Sequence, residues 1–381
     1  MNRIRAVFFA SAIAVCPTAH SVAHAATPAA DSTRGAAVFE SQSCIQCHAL
    51  DGVGPKIGPD LGRLIDRGFT PAMFTSTMWN HAPSMLAAMR ARNIPLPVMD
   101  EQAAADLFAF FYATRFFEQP GDAGRGKRLF TARACANCHG INDSKVPAAK
   151  PASQWTALTD PIAMIEAMWD HALNMHDEMA RQKIVWPVLS GQDVADLLVY
   201  LRNLPSAAPK RPAVFQTTSG ANGKALFDAK GCAQCHKSAD EFLATGLPGQ
   251  TMTDVAAGMW NHGREMSSAR LHFEPGEMRE IAGYIWSRRM FENSGNPTRG
   301  KAVFAAKTCG ACHNNPASGA PALSSGGREF TDITMVSVLW RHGPAMLGRV
   351  QEKIQPWPRL DAREMSDLIA YLNNRVSPNA R

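Results

Sequence analysis

The sequence predicts an all-α chain built from four small tandem domains, and three observations predict it. Eight of the nine cysteines fall in four Cys-x-x-Cys-His motifs, whose first cysteines lie 91, 97 and 77 residues apart. The residues around each motif recur in the same order, the signature of a domain array. No stretch shows the alternation of a strand, and the apolar runs read as helical. The 381 residues, 46% hydrophobic and 19% charged, suit a folded protein and exclude a disordered or collagen-like one.

The N-terminal residues read as an export signal. Arg3 and Arg5 make a basic start, an apolar run follows from Ala6 to Val15, and Ala23-His24-Ala25 supplies a small-x-small cleavage pattern. A signal peptide over 1–25 is therefore expected, with the mature chain beginning at Ala26 and residing in the periplasm. The apolar run is far short of the ~20 residues that span a bilayer. No later segment is long and apolar enough, so no transmembrane segment is expected in the mature chain. The formal charge of +6, or +4 without Arg3 and Arg5, is too weak and too evenly spread for nucleic acid binding.

Each unit follows one plan. Gly35, Gly126, Gly223 and Gly300 stand nine residues before the first cysteine, and Phe39, Phe130, Phe227 and Phe304 four residues after the glycine. Glycine and phenylalanine four apart share one helical face. The glycine lets another helix approach. The expected partner is the unit's final helix, with its aromatic Phe110, Tyr200, Tyr284 or Tyr371 against the phenylalanine. A second helix is expected to end near a Trp-x-His, as in MWNHAPSM (78–85), MWDHALNM (168–175), MWNHGREM (259–266) and LWRHGPAM (339–346). The expected domains are 33–118, 121–204, 220–291 and 297–376. The segment 205–219, rich in proline, reads as a linker between two halves.

A Cys-x-x-Cys-His motif is the attachment site of c-type haem. Two thiols on one turn add to the two vinyl groups of one porphyrin, and the next residue supplies the proximal imidazole. The candidate attachment residues are Cys44, Cys47, Cys135, Cys138, Cys232, Cys235, Cys309 and Cys312. The candidate proximal ligands are His48, His139, His236 and His313. A disulfide staple, a thioredoxin-like site or a zinc site leaves the histidine after all four pairs unexplained. Four covalent haem c groups are expected.

Each unit resembles a small bacterial class I cytochrome c domain, and four of them cover essentially the whole mature chain. The resemblance implies that first and last helices cross, and that a carbonyl in a proline-containing loop holds the proximal histidine. Pro55, Pro147, Pro248 and Pro321 are the matching candidates. It also implies a methionine as the second axial ligand, in a loop before the last helix. Met85, Met175, Met266 and Met346 lie four residues after the histidine of each Trp-x-His. Gly263, Gly343, Pro83 and Pro344 are expected to break the helix there in three units. His81, His171, His262 and His342 are the alternative distal ligands. The tryptophans Trp79, Trp169, Trp260 and Trp340 are expected to wall the haem pockets. Unit three departs from the others: 14 residues separate Met266 from Glu280, where the same span elsewhere is 21.

Haem with both axial sites filled changes oxidation state with little rearrangement and binds oxygen poorly. The sequence therefore points to an electron carrier without catalytic residues, working between periplasmic redox proteins or beside a membrane-bound respiratory complex. A haem-containing oxidoreductase, or a cytochrome subunit of a periplasmic dehydrogenase, is the alternative.

Overall fold

A computed structural model describes residues 28–50, 52–62, 69–115, 121–205, 217–218, 220–236, 251–266, 271–291, 295–323, 329–353 and 355–375. The expected signal peptide and most of the expected linker lie outside the described residues. Among the described residues the protein is helical, and its only β features are three isolated bridges. The all-α class is as expected.

Unit one holds α1 (Ser32–Ser41), α2 (Pro71–Ala91) and α3 (Glu101–Arg115). Unit two holds α4 (Ala123–Ala132), α5 (Pro161–Trp169), α6 (Ala172–Arg181) and α7 (Gly191–Arg202). Unit three holds α8 (Gly223–Ala229), α9 (Met252–Met266) and α10 (Glu277–Phe291). Unit four holds α11 (Pro297–Ala306), α12 (Thr334–Glu352) and α13 (Ala362–Asn373). Side-chain caps start most of them. Asp31, Asp122 and Asn296 accept backbone N–H groups of α1, α4 and α11, and Ser190 and Asp361 form capping boxes on α7 and α13.

First and last helices cross at the repeated glycine. A Cβ there would lie 2.0 Å from the Asp106 carbonyl oxygen at Gly35, and 2.1 Å from Asp196 at Gly126. The corresponding distances are 2.2 Å to Glu280 at Gly223 and 1.8 Å to Asp367 at Gly300. Only glycine permits so close an approach. The expected aromatic pairs form beside it: Phe39–Phe110 and Phe304–Tyr371 at 5.5 Å, Phe130–Tyr200 at 5.8 Å and Phe227–Tyr284 at 5.9 Å between ring centres.

In three units an arginine just before the glycine grips the last helix. Arg34 meets Asp106 through two nitrogens at 2.9 and 2.8 Å, Arg125 meets Asp196 at 2.7 and 2.9 Å, and Arg299 meets Asp367 at 2.6 and 2.8 Å. Each carboxylate is buried and also accepts the backbone N–H of the residue capping the first helix. The Arg299 guanidinium holds the Asp367 carboxyl below its usual range. At Asp196, burial pushes upward but is outweighed by the Arg125, Asp122 and Gln192 donors, which hold it low. Unit three has Asn222 and Glu280 in these places. There the clamp reduces to the Asn222 N–H on the Glu280 carboxylate at 3.3 Å.

The units do not pack in chain order. α2 lies against α12 and α13, joining units one and four, while α9 lies against α5 and α7, joining units three and two. Units one and three also touch, with the tilted Trp286 and Tyr112 rings 4.7 Å apart, and the Ser32 N–H bonds to the Thr217 carbonyl just before unit three. The buried cores of units one, two and three are continuous, and the core of unit four takes in Trp79 of unit one. The expectation of two separate halves, one with two and three with four, is therefore corrected. Both strong pairings run across the expected linker.

Candidate cofactor sites

Each Cys-x-x-Cys-His forms one closed turn. The histidine N–H bonds to the carbonyl of the first cysteine at 2.9–3.0 Å in all four units. This turn sets two thiols and an imidazole on one side of the chain. The residue before each first cysteine is left-handed: Ser43 at φ 63°, Ala134 at 61°, Gly231 at 78° and Thr308 at 57°. A side chain there costs roughly 1 kcal/mol. The strain reverses the chain sharply, so the cysteine turn folds back beside the first helix. Burial pushes the first thiols up, to about 11 at Cys44 and Cys135, and in the same direction at Cys232 and Cys309. A redox dithiol needs the opposite shift.

Three of the four motif histidines are held by loop carbonyls through Nδ1. His48 reaches Pro59 at 2.9 Å, His139 reaches Lys150 at 2.9 Å and His313 reaches Pro321 at 2.8 Å. Pro321 was the expected partner. Pro59 stands in place of Pro55, and Lys150, just before Pro151, in place of Pro147. Pro248 lies outside the described residues. A carbonyl on Nδ1 fixes the tautomer and leaves Nε2 for a metal.

The Trp-x-His histidines face these rings. Ring centres lie 6.3 Å apart for His48–His81, 6.2 Å for His139–His171, 6.3 Å for His236–His262 and 5.6 Å for His313–His342. Metal–imidazole bonds of ~2 Å on either side of one iron put the ring centres roughly 6 Å apart. Burial, and behind it the facing imidazole, lowers the affinity of His81 and His342 for a proton. The Nε2 of His342 is buried and makes no hydrogen bond among the described residues.

The helix around these histidines differs from expectation. α2 runs unbroken through His81, Pro83 and Met85, and α12 through His342, Pro344 and Met346. α9 reaches Met266 without a break. The only break falls in unit two, between α5 and α6, where neither Gly nor Pro signals it. There the His171 ring bonds back to the Ala167 carbonyl at 2.8 Å, the acceptor that its own N–H would take in a continuous helix. The expected methionines thus lie on helices rather than in a loop. Met85 and Met346 are half-buried, Met175 lines the cavity of unit two, and the Met266 side chain lies outside the described residues.

That cavity measures about 640 Å³ and is lined by Cys135, Cys138, His139, His171, Met175 and, from unit three, Trp260. Its size falls within the ~300–1,000 Å³ of cofactor pockets. Thiols, a carbonyl-held imidazole, a facing imidazole and an apolar cavity together fit a covalently bound haem. The tryptophans depart from expectation: each lies against the partner unit. Trp79 donates its indole N–H to the Pro358 carbonyl at 2.7 Å and Trp340 to Pro97 at 2.9 Å. Trp169 donates to Leu271 and Trp260 to Pro187, both at 2.9 Å. Sequence reading also missed the Arg-Gly clamp, although Arg34-Gly35, Arg125-Gly126 and Arg299-Gly300 stand plainly in the sequence.

Two family models match the chain. The one described as cytochrome c matches residues 32–112 and 123–205, and the one described as cytochrome C oxidase, cbb3-type, subunit III matches residues 295–372. Neither a curated relative nor a solved structure matches.

Proposed function

We propose that this chain, which carries cytochrome c domains and supports a multihaem c-type cytochrome, is an exported tetrahaem electron carrier. It has four domains, at 33–118, 121–204, 220–291 and 297–376. Each domain holds one covalent haem c through its Cys-x-x-Cys-His, and each exchanges electrons with redox proteins of the periplasm. The observation that carries this reading is the facing histidine pair in all four units. It favours His81, His171, His262 and His342 over the methionines as distal ligands. Bound haem supplies a one-electron couple. The chain attaches it through two thiols and orients the proximal ring through a loop carbonyl. The second imidazole closes the iron to oxygen and peroxide, which argues against a catalytic site. A second imidazole also stabilises the ferric state relative to a thioether and gives low potentials.

One observation favours a second reading. The match of unit four to a cbb3-type oxidase subunit III suits a cytochrome working as a subunit of a membrane-bound respiratory complex. Among the described residues no helix is long and apolar enough to cross a membrane.

A potentiometric titration followed by absorption and near-infrared spectra tests the reading, together with intact mass. The expected result is four haems per chain, all low-spin, with no sulfur-to-iron band in the far red. Three or fewer haems in matured protein, or a strong far-red band lost on Met85→Leu, overturns it.

A further inference from the structure

The spacing Trp-x-His has a geometric consequence on a helix. Residues two apart are rotated by ~200°, so tryptophan and histidine leave opposite sides of the helix. In all four units the histidine turns to its own proximal ring. In all four the tryptophan is buried against another unit, its N–H on that unit's loop carbonyl. In units one, three and four, where the helix is unbroken through both residues, it is thus a partition between two sites.

The arrangement is most complete between units two and three. Trp260 is fully buried, bonds to the Pro187 carbonyl and lines the cavity that holds Cys135, Cys138, His139 and His171. Its ring stacks on Trp186 at 4.3 Å, and Trp186 donates back to the Trp260 carbonyl at 3.3 Å. Two residues on, His262 faces His236 in unit three.

We propose that the cofactor site of unit two is composite. Trp260, supplied by unit three, is a positioning residue that closes the site against water, and the Trp260–His262 segment couples the sites of units two and three. Trp79 and Trp340 make the same crossing between units one and four. The sites are then coupled as pairs two–three and one–four, not as a series in chain order. This inference rests on the reading that the Cys-x-x-Cys-His turns carry haem.

Water admitted to a haem pocket favours the ferric form and lowers the potential. Potentials assigned to single units therefore test the proposal. Cys138→Ala leaves one vinyl group of the unit-two haem unsaturated, which shifts its absorption band to the red and tags it. Cys235→Ala tags the unit-three haem in the same way. Trp260→Ala is added to each tagged full-length protein, and each is titrated. The expected result is a lowered midpoint for the band tagged through Cys138, at four haems per chain, with substantial recovery in Trp260→Phe, which keeps an apolar ring in the wall. An unchanged midpoint there, with a shift confined to the band tagged through Cys235, overturns the proposal. Where Trp260→Ala loses haem or fails to fold, Trp260→Leu replaces it and is read in the same way. A wild-type protein short of four haems would instead overturn the functional reading.

Discussion

The pairs one–four and two–three share one design and are held by different chemistry. In both, an asparagine of one unit clasps the loop of the other. Asn80 bonds the Leu360 backbone both ways at 2.7 and 2.9 Å, and Asn261 bonds the Leu189 backbone both ways at 2.8 Å. In both, a second tryptophan packs on the first: Trp357 on Trp79, tilted, and Trp186 on Trp260, stacked. Pair two–three then adds charge. Arg279 meets the buried Asp160 at 2.6 Å, and the Glu166 carboxylate accepts the Gly276 and Met278 N–H groups at the start of α10. Pair one–four has no such ion pair among the described residues. It buries Asp332, bonded to the Ser366 hydroxyl at 2.8 Å, and the backbone carbonyl of Asp332 accepts the Thr75 hydroxyl. The same interlocking can thus be supported by a compensated charge or strained by an uncompensated one.

The largest expected effect is on assembly. Because both pairs run across the expected linker, cutting the chain within 206–218 should leave the two fragments bound to each other. They should elute together at the mass of the intact chain on size-exclusion chromatography. Fragments that separate without denaturant would break the crossed arrangement itself.

Next comes the ion pair. Arg279→Ala leaves the Asp160 carboxylate buried without its partner, which costs roughly 3–5 kcal/mol. Asn80→Ala in the other pair removes two neutral hydrogen bonds at about 1 kcal/mol each. Chemical denaturation should show the first loss clearly larger than the second. Equal losses would mean that the charge in pair two–three adds nothing to the common clasp.

Much of this was legible in the sequence. The helix crossing followed from Gly and Phe at fixed offsets, and the attachment turn from Cys-x-x-Cys-His. Even the complementarity of the pairs is written there. Units one and three carry asparagine between Trp and His, where units two and four carry Asp170 and Arg341. Units two and four carry Trp186 and Trp357, where unit one has Leu96. An asparagine unit meets a tryptophan unit in pairs one–four and two–three, but the same pattern would equally allow one–two and three–four. Local pattern cannot choose between these, because the choice is made by long-range packing. Pro83 misled for a related reason. It removes the N–H that would bond the Trp79 carbonyl, which reads as a break. In the fold that carbonyl accepts the Trp357 indole at 3.1 Å, and the helix continues.

Asp332 sharpens the contrast through pH. Burial pushes its carboxyl up to about 6, against the pull of the Ser366 hydroxyl. In the unfolded chain it titrates near ~3.9. Between these values the folded state binds the extra proton, so stability falls as pH rises from ~4 to ~6 and is level above. Asp332→Asn should therefore stabilise the protein by up to ~3 kcal/mol at pH 7 and by almost nothing at pH 4. A gain of the same size at both values would show that the charge is not the cause. Arg279 and Asp160 predict no such gain from neutralising the acid in pair two–three, since there the carboxylate has its partner.

The smallest effect tests what the pairs hold in common. Trp79→Phe and Trp260→Phe each keep an apolar ring at the crossing and remove one indole N–H, from the Pro358 carbonyl in one pair and the Pro187 carbonyl in the other. A neutral hydrogen bond contributes about 1 kcal/mol net, so each variant should lose about that much, independent of pH between 5 and 8. The surroundings differ, with a buried acid near one pair and an ion pair near the other, yet the bond itself is the same. Denaturation midpoints that fall equally in the two variants would place the tryptophan crossing in the common design. A loss in Trp260→Phe several times that in Trp79→Phe would mean that the two crossings are not equivalent, and that pair two–three depends on its indole for more than one hydrogen bond.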